Sequence, residues 1–446
     1  MKKWLLRIGA ALGALVVLVL LAVFTTVDST PFQRMGYYHK MMATIDSLPD
    51  IGTRGDTMLA GWAKVNLTPP KPVPIAIADS RNGRSYERVE DSIWVRAFVF
   101  DNGATKAAIV TADLLIIPPT VTVLLDSMLQ TIGFRLSQVY LSATHTHNSI
   151  GAWGPGYVGK RFAGKYDQAV VDHIARCIVQ AVKAADMQKQ PAQLSYAEQL
   201  VPSLVFNRLV GDSGTTDPQL QVLKVANNNG KQAILVRYSA HATCLPANYM
   251  NLHRDYPGRL VDLLETADSV DMAAYVAGAV GSMGPCCADL GPKLQIDSLA
   301  TALSQQVRRL DFKPISDKVV AAIRMPLYLR EQHFRVSDNI RFRPWVTKKV
   351  VGDFPLEVEL LRLGNLIWVG LPCDYSGELS VPLWQAAQQK GLQLSITSFN
   401  GGYMGYITHD KWYHLDAYET RTMNWYGPYN GQYTQTVVSR MMDKCK

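Results

Sequence analysis

Val139-Tyr140-Leu141-Ser142-Ala143-Thr144-His145-Thr146-His147 begins as a short apolar and β-branched run and ends in two histidines. The run predicts a buried strand. Residues two apart on a strand project to one face, so this geometry predicts His145 and His147 side by side. They lead into the glycine-rich loop Gly151-Ala152-Trp153-Gly154-Pro155-Gly156. Two imidazoles at such a strand end suit a metal ion, and equally suit two hydrogen-bonded histidines at a strand terminus. The remaining donors have to come from elsewhere in the chain.

On the N-terminal side, Trp94–Phe100 alternates, turns at Asn102-Gly103, and returns as Ala107–Thr111. Asn-Gly tolerates the positive φ of a type I′ turn, so a hairpin is expected. Pro118-Pro119 opens a helix to about Ile132. Further back, the globular domain is expected to begin near Ala60. On the C-terminal side, Val170, Ile174, Ile178 and Val182 mark one face of a helix from about Asp167 to Ala185. A second hairpin, Leu220–Ala226 and Ile234–Ala240, ends at His241. Asp255 reads as the N-cap of a helix to about Ala267, before a strand at Ala273–Val280. Another strand, Ile367–Gly370, leads to Asp374, which heads a further helix. Strands alternating with helices predict an α/β fold: one large globular domain of mixed β-sheets flanked by helices. His145, His241 and Asp374 then stand at three strand ends, where α/β proteins gather their sites. Taken singly, His241 also reads as a buried core histidine and Asp374 as a helix cap.

The N-terminus adds a membrane element. Lys2, Lys3 and Arg7 precede an uncharged run from Ile8 to Val27. At ~1.5 Å per residue its twenty residues span ~30 Å, the thickness of a bilayer core. Ala22-Val23-Phe24 is a poor cleavage site, which favours one uncleaved transmembrane helix over a signal peptide. The flanking lysines place the N-terminus in the cytoplasm and the body on the extracytoplasmic, periplasmic side of the cytoplasmic membrane. Residues 1–28 are thus expected as an anchor, 29–59 as a juxtamembrane connector, and 60–446 as the catalytic domain. The net charge of +8 comes without a block of five basic residues, so nucleic acid is not an expected partner. Six scattered cysteines exclude a disulfide scaffold.

A resemblance sharpens the chemistry. Leu141-Ser142-Ala143-Thr144-His145-Thr146-His147 resembles the S-A-T-H-T-H signature of the neutral, non-lysosomal ceramidases. The likeness runs in order through Phe206-Asn207-Arg208, His241, Gly405-Tyr406-Ile407-Thr408, Tyr418-Glu419 and Tyr426-Gly427-Pro428. It implies a zinc-dependent hydrolase that cleaves the amide bond of ceramide or a related N-acyl lipid. By that resemblance His145, His241, Asp374 and Tyr406 would hold one Zn²⁺ per chain. Arg208 and Tyr418 would surround the developing oxyanion, and His147 would handle the proton. Three positions depart from the family pattern. Gly284 replaces its serine, with Ser282 two residues away as a possible recruit. Asp374 replaces its glutamate, and the family's C-terminal immunoglobulin-like domain is not expected here. Two other readings follow from the departures: a non-amide metallohydrolase on the same scaffold, or a catalytically inactive, membrane-anchored lipid-binding protein. The H-x-H-x-D-H pattern of metallo-β-lactamases does not fit, because Ser149 and Ile150 stand where Asp and His are needed.

Overall fold

The computed structural model describes residues 2–267, 270–286, 289–352 and 354–445. Its larger sheet contains β1 (Leu59–Asn66), β2 (Trp94–Asp101), β3 (Lys106–Ala112), β4 (Val139–Ala143), β5 (Gln190–Leu200), β6 (Gln219–Asn227), β7 (Gln232–Tyr238) and β8 (Met272–Ala277). They run in the order β8-β7-β6-β5-β1-β2-β3-β4. Pairing is antiparallel except at the two edges, where β7–β8 and β3–β4 are parallel. A smaller sheet has the order β12-β11-β10-β9 and uses Val319–Pro326 (β9), Glu357–Leu363 (β10), Leu366–Gly370 (β11) and Gln393–Thr397 (β12). There β11 and β12 are parallel. The helices are α1 (Lys2–Val23), α2 (Gly36–Asp46), α3 (Pro119–Gln130), α4 (Gly156–Ala163), α5 (Gln168–Met187), α6 (Asp255–Ala267), α7 (Pro292–Arg308), α8 (Pro344–Val351), α9 (Gly377–Gln389) and α10 (Asn430–Met442).

The two sheets face each other. Phe98, Phe100, Ile109 and Tyr140 of the larger sheet meet Leu361, Leu363 and Trp368 of the smaller one. On β2 the alternate residues Val95, Ala97 and Val99 point the other way, toward α3, α5, α6 and α7. Helices α9, α10 and α2 cover the far face of the smaller sheet. Four layers result, helices outside and sheets inside, and inner strands such as β3 and β11 are buried on both faces and read as continuous apolar runs. This is the α/β domain of mixed sheets that the strand–helix alternation predicts.

A parallel pair needs a crossover, and α3, α6 and α9 supply three. Polar struts then lock one sheet onto the other within an otherwise apolar interface. Arg237 on β7 donates through Nε and Nη2 to the Ile396 carbonyl on β12 (3.1 and 3.0 Å), and Nη2 pairs with buried Asp217 (2.6 Å). Gln221 Nε2 donates to the Leu394 carbonyl (2.9 Å), and the Leu141 N–H donates to Glu359 Oε2 (2.7 Å).

Several expectations need correction. The helix α1 ends at Val23, not Val27 or residue 28. Phe24–Thr26 instead pairs antiparallel with Ile340–Phe342, because a β-branched and aromatic tail has a strand edge to join. The expected connector is part of the domain: Phe32, Met41, Ile45 and Ile51 are buried beside α10 and the smaller sheet. Met41 and Ile45 lie one helical turn apart on α2, so both face the core. The β2–β3 turn is not type I′, since only Gly103 takes a positive φ (+87°). Asn102 is buried and spends its side-chain amide on the carbonyls of Thr53 and Lys318 (2.7 and 2.8 Å), tying the hairpin to the smaller sheet. Asp255 heads α6 at a φ of +54°, yet its carboxylate also turns to the N–H of Leu245 (3.1 Å) instead of simply capping. Of the adjacent pair Cys286-Cys287, Cys287 lies outside the described residues.

Candidate active site

Each parallel strand pair contributes to one place. His145 and His147 follow β4, His241 follows β7, Ser282 follows β8, Asp374 follows β11, and Phe399 follows β12. The first expectation holds for a different reason than strand alternation. β4 stops at Ala143, and His145 takes a left-handed backbone with φ +63°. Ser282 (+63°) and Phe399 (+69°) do the same after their own strands. Non-glycine residues in that region cost on the order of 1–3 kcal/mol each and collect at functional sites. The turn at His145 nevertheless brings its Nε2 to 3.3 Å from His147 Nε2.

Main-chain carbonyls set the imidazole tautomers. His145 Nδ1 donates to the Leu115 carbonyl (2.6 Å) and His241 Nδ1 to the Val280 carbonyl (2.8 Å). Each Nε2 therefore carries the ring's lone pair, the tautomer a metal-binding imidazole needs. Phe399 stacks flat on His145, with ring centroids 3.8 Å apart, and holds that ring in place. Burial pushes the His145 pKa down to about 3, with His241 adding to the effect and Asp374 opposing it. Burial also holds His147 and His241 well below the ordinary histidine range, so all three rings are neutral at neutral pH.

Asp374 comes from the other sheet. It does not cap α9, because Ser376 occupies that position. It pairs in register with Tyr406 through the two-residue strands Asp374–Tyr375 and Tyr406–Ile407. Asp374 Oδ2 accepts from Tyr403 OH (2.7 Å), whereas the buried Oδ1 has no hydrogen-bond partner. That oxygen lies 3.2 Å from His241 Nε2 and 3.7 Å from His145 Nε2. Burial raises the Asp374 pKa, against the pull of neighbouring His145. A buried carboxylate oxygen with no donor is costly unless a cation completes it.

The donor set fits a metal ion. Ligand bonds of ~2.0–2.1 Å in a tetrahedron put the donor atoms ~3.3 Å apart. Here the separations run from 3.2 to 3.7 Å, and Tyr406 OH stands 3.4 Å from His241 Nε2. His147 is also close, since the donor atoms of His145, His147 and His241 lie within 4.8 Å of one another. Asp374 discriminates: among the described residues its carboxylate is within ion-pair distance of His145 and His241.

Around this cluster sit the remaining residues. Arg208 Nη2 donates to Tyr406 OH (2.9 Å) and reaches His241 Nε2 at 3.2 Å. Its Nε donates to Glu419 Oε1 (2.7 Å). Burial works against the Arg208 charge, but Tyr406 and Glu419 outweigh it, so the guanidinium stays protonated. Ser282 Oγ donates to Glu419 Oε2 (2.6 Å), which places its hydroxyl on the carboxylate that anchors Arg208. Tyr418 is half-exposed and meets the Tyr406 ring edge-on, with centroids 5.7 Å apart. At Gly284 an added Cβ would lie 2.6 Å from the Phe206 ring, so the phenyl group fills the space a serine side chain would enter.

Three contributors were absent from the sequence-based set. Glu419 was visible only as the neighbour of Tyr418, and Tyr403 as one tyrosine among many. Arg81, buried 66 residues before its partner, donates to the His147 carbonyl (2.6 Å) and fixes that turn. None has a local pattern that announces it.

A half-open, mostly apolar pocket leads to the cluster. Its floor holds His145, His147, Asp374 and Tyr406, and its walls are apolar, among them Ile116, Trp153, Phe162, Phe354 and Trp425.

Residues 84–298 match a family model described as neutral/alkaline non-lysosomal ceramidase, N-terminal. Among solved structures the chain is similar to neutral ceramidase from Pseudomonas aeruginosa, with 17% identity and a TM-score of 0.72. That alignment covers 86% of this chain and 74% of the other. It is similar also to a ceramidase complexed with C2, with 16% identity, a TM-score of 0.74, and coverage of 86% and 75%. At such identity the structural likeness speaks for the fold. No curated protein sequence matches the chain.

Proposed function

With residues 84–298 belonging to the neutral/alkaline non-lysosomal ceramidase family, we propose that this chain hydrolyses the amide bond of ceramide or a related N-acyl lipid at a zinc site. His145, His241, Asp374 and Tyr406 would hold the ion. The observation that carries the reading is the buried, partnerless Asp374 Oδ1, at 3.2 and 3.7 Å from two Nε2 lone pairs. Zn²⁺ bound there supplies a Lewis acid and lowers the pKa of water to ~7.

The chain's own groups do the rest. The apolar walls exclude water and hold a hydrocarbon chain, so the amide lies against the floor of the pocket. Arg208, anchored by Glu419, and Tyr418 at the pocket lining present donors to the carbonyl oxygen as it gains charge. His147 is neutral and partly open to the pocket, so its ring can take a proton and pass it to the departing amine. Gly284 has no hydroxyl and Ser282 points to Glu419, which favours an activated water over a serine nucleophile.

In this reading α1 is an uncleaved anchor, with its N-terminus in the cytoplasm and the domain on the extracytoplasmic side. Among the described residues it is the one helix long and apolar enough to cross a membrane. Metal analysis of His145→Ala tests the mechanism. The variant is expected to lose both its zinc and its activity on vesicle-borne N-acyl lipids. Full activity in a metal-free protein would overturn the mechanism.

A further inference from the structure

We propose that the face formed by α4 and α8 rests on an anionic lipid bilayer and that the apolar pocket opens to the membrane beside it. The proposal rests on the reading of α1 as an anchor and of the substrate as an N-acyl lipid. Its first support is how α1 ends. A helix leaves its last carbonyls unpaired, and here Arg343 and the first turn of α8 take three of them. Arg343 Nε donates to Leu21 O (2.8 Å), Trp345 Nε1 to Ala22 O (3.0 Å), and the Arg343 N–H to Val23 O (2.8 Å). With Phe24–Thr26 paired to Ile340–Phe342, the start of α8 is fixed to the point where the anchor leaves the bilayer. Trp345 at that level matches the aromatic residues that favour a membrane–water interface.

The second support is the surface itself. Helix α4 (GYVGKRFA) and helix α8 (PWVTKKVV) pack together, and neither contains an acidic residue. Tyr157 is 59% and Trp345 55% exposed, beside exposed Lys160, Arg161 and Lys349. Arg161 shares its charge with Asp79. Exposed aromatics among cations are what an anionic headgroup layer attracts.

The third support is continuity with the site. The inner faces of these helices line the pocket through Val158 and Phe162 of α4 and Val351 of α8. Val351 lies six residues past Trp345, ~9 Å along a helix at ~1.5 Å per residue. An acyl chain anchored at the interface therefore reaches the pocket without crossing water. A second apolar groove meets the first at Val158, Phe162, Tyr418 and Trp425, giving a two-chain lipid a place for each chain.

The test uses the full chain in phosphatidylcholine vesicles with and without phosphatidylglycerol, plus a lipid carrying a shallow quencher. An environment-sensitive fluorescent amino acid replaces Tyr157 or, as a control, Met187, which is 77% exposed at the end of α5. Position 157 is expected to be quenched roughly twofold or more over position 187, and more strongly with the anionic lipid. Equal quenching at both positions overturns the proposal. Lys160→Glu with Lys349→Glu is expected to slow vesicle-borne substrate on the order of fivefold while sparing a short, water-soluble N-acyl amide. Equal loss on both substrates also overturns it. A protein that hydrolyses neither substrate but still shows strong quenching at 157 ends the amidase reading and leaves the membrane face standing.

Discussion

The strand ends and the C-terminal loop between Phe399 and Gly427 build the two halves of the site in different ways. His145, His241 and Asp374 hang from parallel strands in a four-layer core, and the two histidines are oriented by main-chain carbonyls. Tyr403, Tyr418 and Glu419 come from the loop and a single helical turn, and two of them are fixed through other side chains: Tyr403 on Asp374, Glu419 on Arg208 and Ser282. The difference teaches where each kind of precision comes from. Main-chain acceptors belong to the fold itself, so the imidazole lone pairs are set once the sheets form. Side-chain partners can be removed one at a time, so the loop half is adjustable.

Four experiments break or sharpen that contrast. The largest effect is expected at the frame: Asp374→Asn removes the anionic donor and should cost most of the bound zinc and on the order of 10³-fold in kcat/KM, read by metal analysis and kinetics. Retained zinc at full occupancy would argue that Asp374 is not a ligand. Next comes the strut behind His241. Arg237→Ala leaves Asp217 charged, buried and unpaired, and should lower unfolding free energy by about 3–5 kcal/mol in denaturant titrations. A loss of under about 1 kcal/mol would mean that the sheets hold their register without it.

His333 tests the loop half by pH. It is buried, its ring Nδ1 donates to the Glu331 carbonyl (3.0 Å), and burial lowers its pKa to about 4. The unfolded chain, with a pKa near ~6.5, binds the proton more readily. Stability from this group is therefore full above about pH 6.5 and falls as pH drops through about 4, by up to roughly 3 kcal/mol. The stability difference between wild type and His333→Gln should shift toward the variant over that window; a pH-independent difference would contradict the assignment. The smallest effect is expected at the seam between the halves. Tyr403→Phe deletes the hydrogen bond from Tyr403 OH to Asp374 Oδ2 and should weaken zinc ~10–100-fold with the fold intact, measured by competition with a chelator.

The contrast also governs what could be read from the chain. The second hairpin, the α5 face and the helix after Pro118-Pro119 were legible because apolar spacing is local. The apolar N-terminal helix was legible for the same reason, although the last residues of the apolar run were claimed by a strand edge that sequence does not display. Phe32, Met41 and Ile45 looked like a linker because their partners lie on α10 and the smaller sheet, far along the chain. His145, His241 and Asp374 were found at strand ends, and the family resemblance suggested their shared ion. Tyr403 and Glu419 were not found, because a tyrosine or glutamate in a loop acquires its role only from what it touches.

The sequence by itself determined the strand–helix alternation, the apolar N-terminal run and the polar residues waiting at strand termini, since each depends on neighbours within a few positions. Only the tertiary structure decided that two sheets would bring His145, His241 and Asp374 to one point. It also decided that β4 would end early and turn at His145, and that Phe206 would fill the space beside Gly284. Those outcomes depend on contacts between segments some 30 to 260 residues apart, such as Tyr140 OH against Thr397 Oγ1 at 2.5 Å, and no local pattern encodes them.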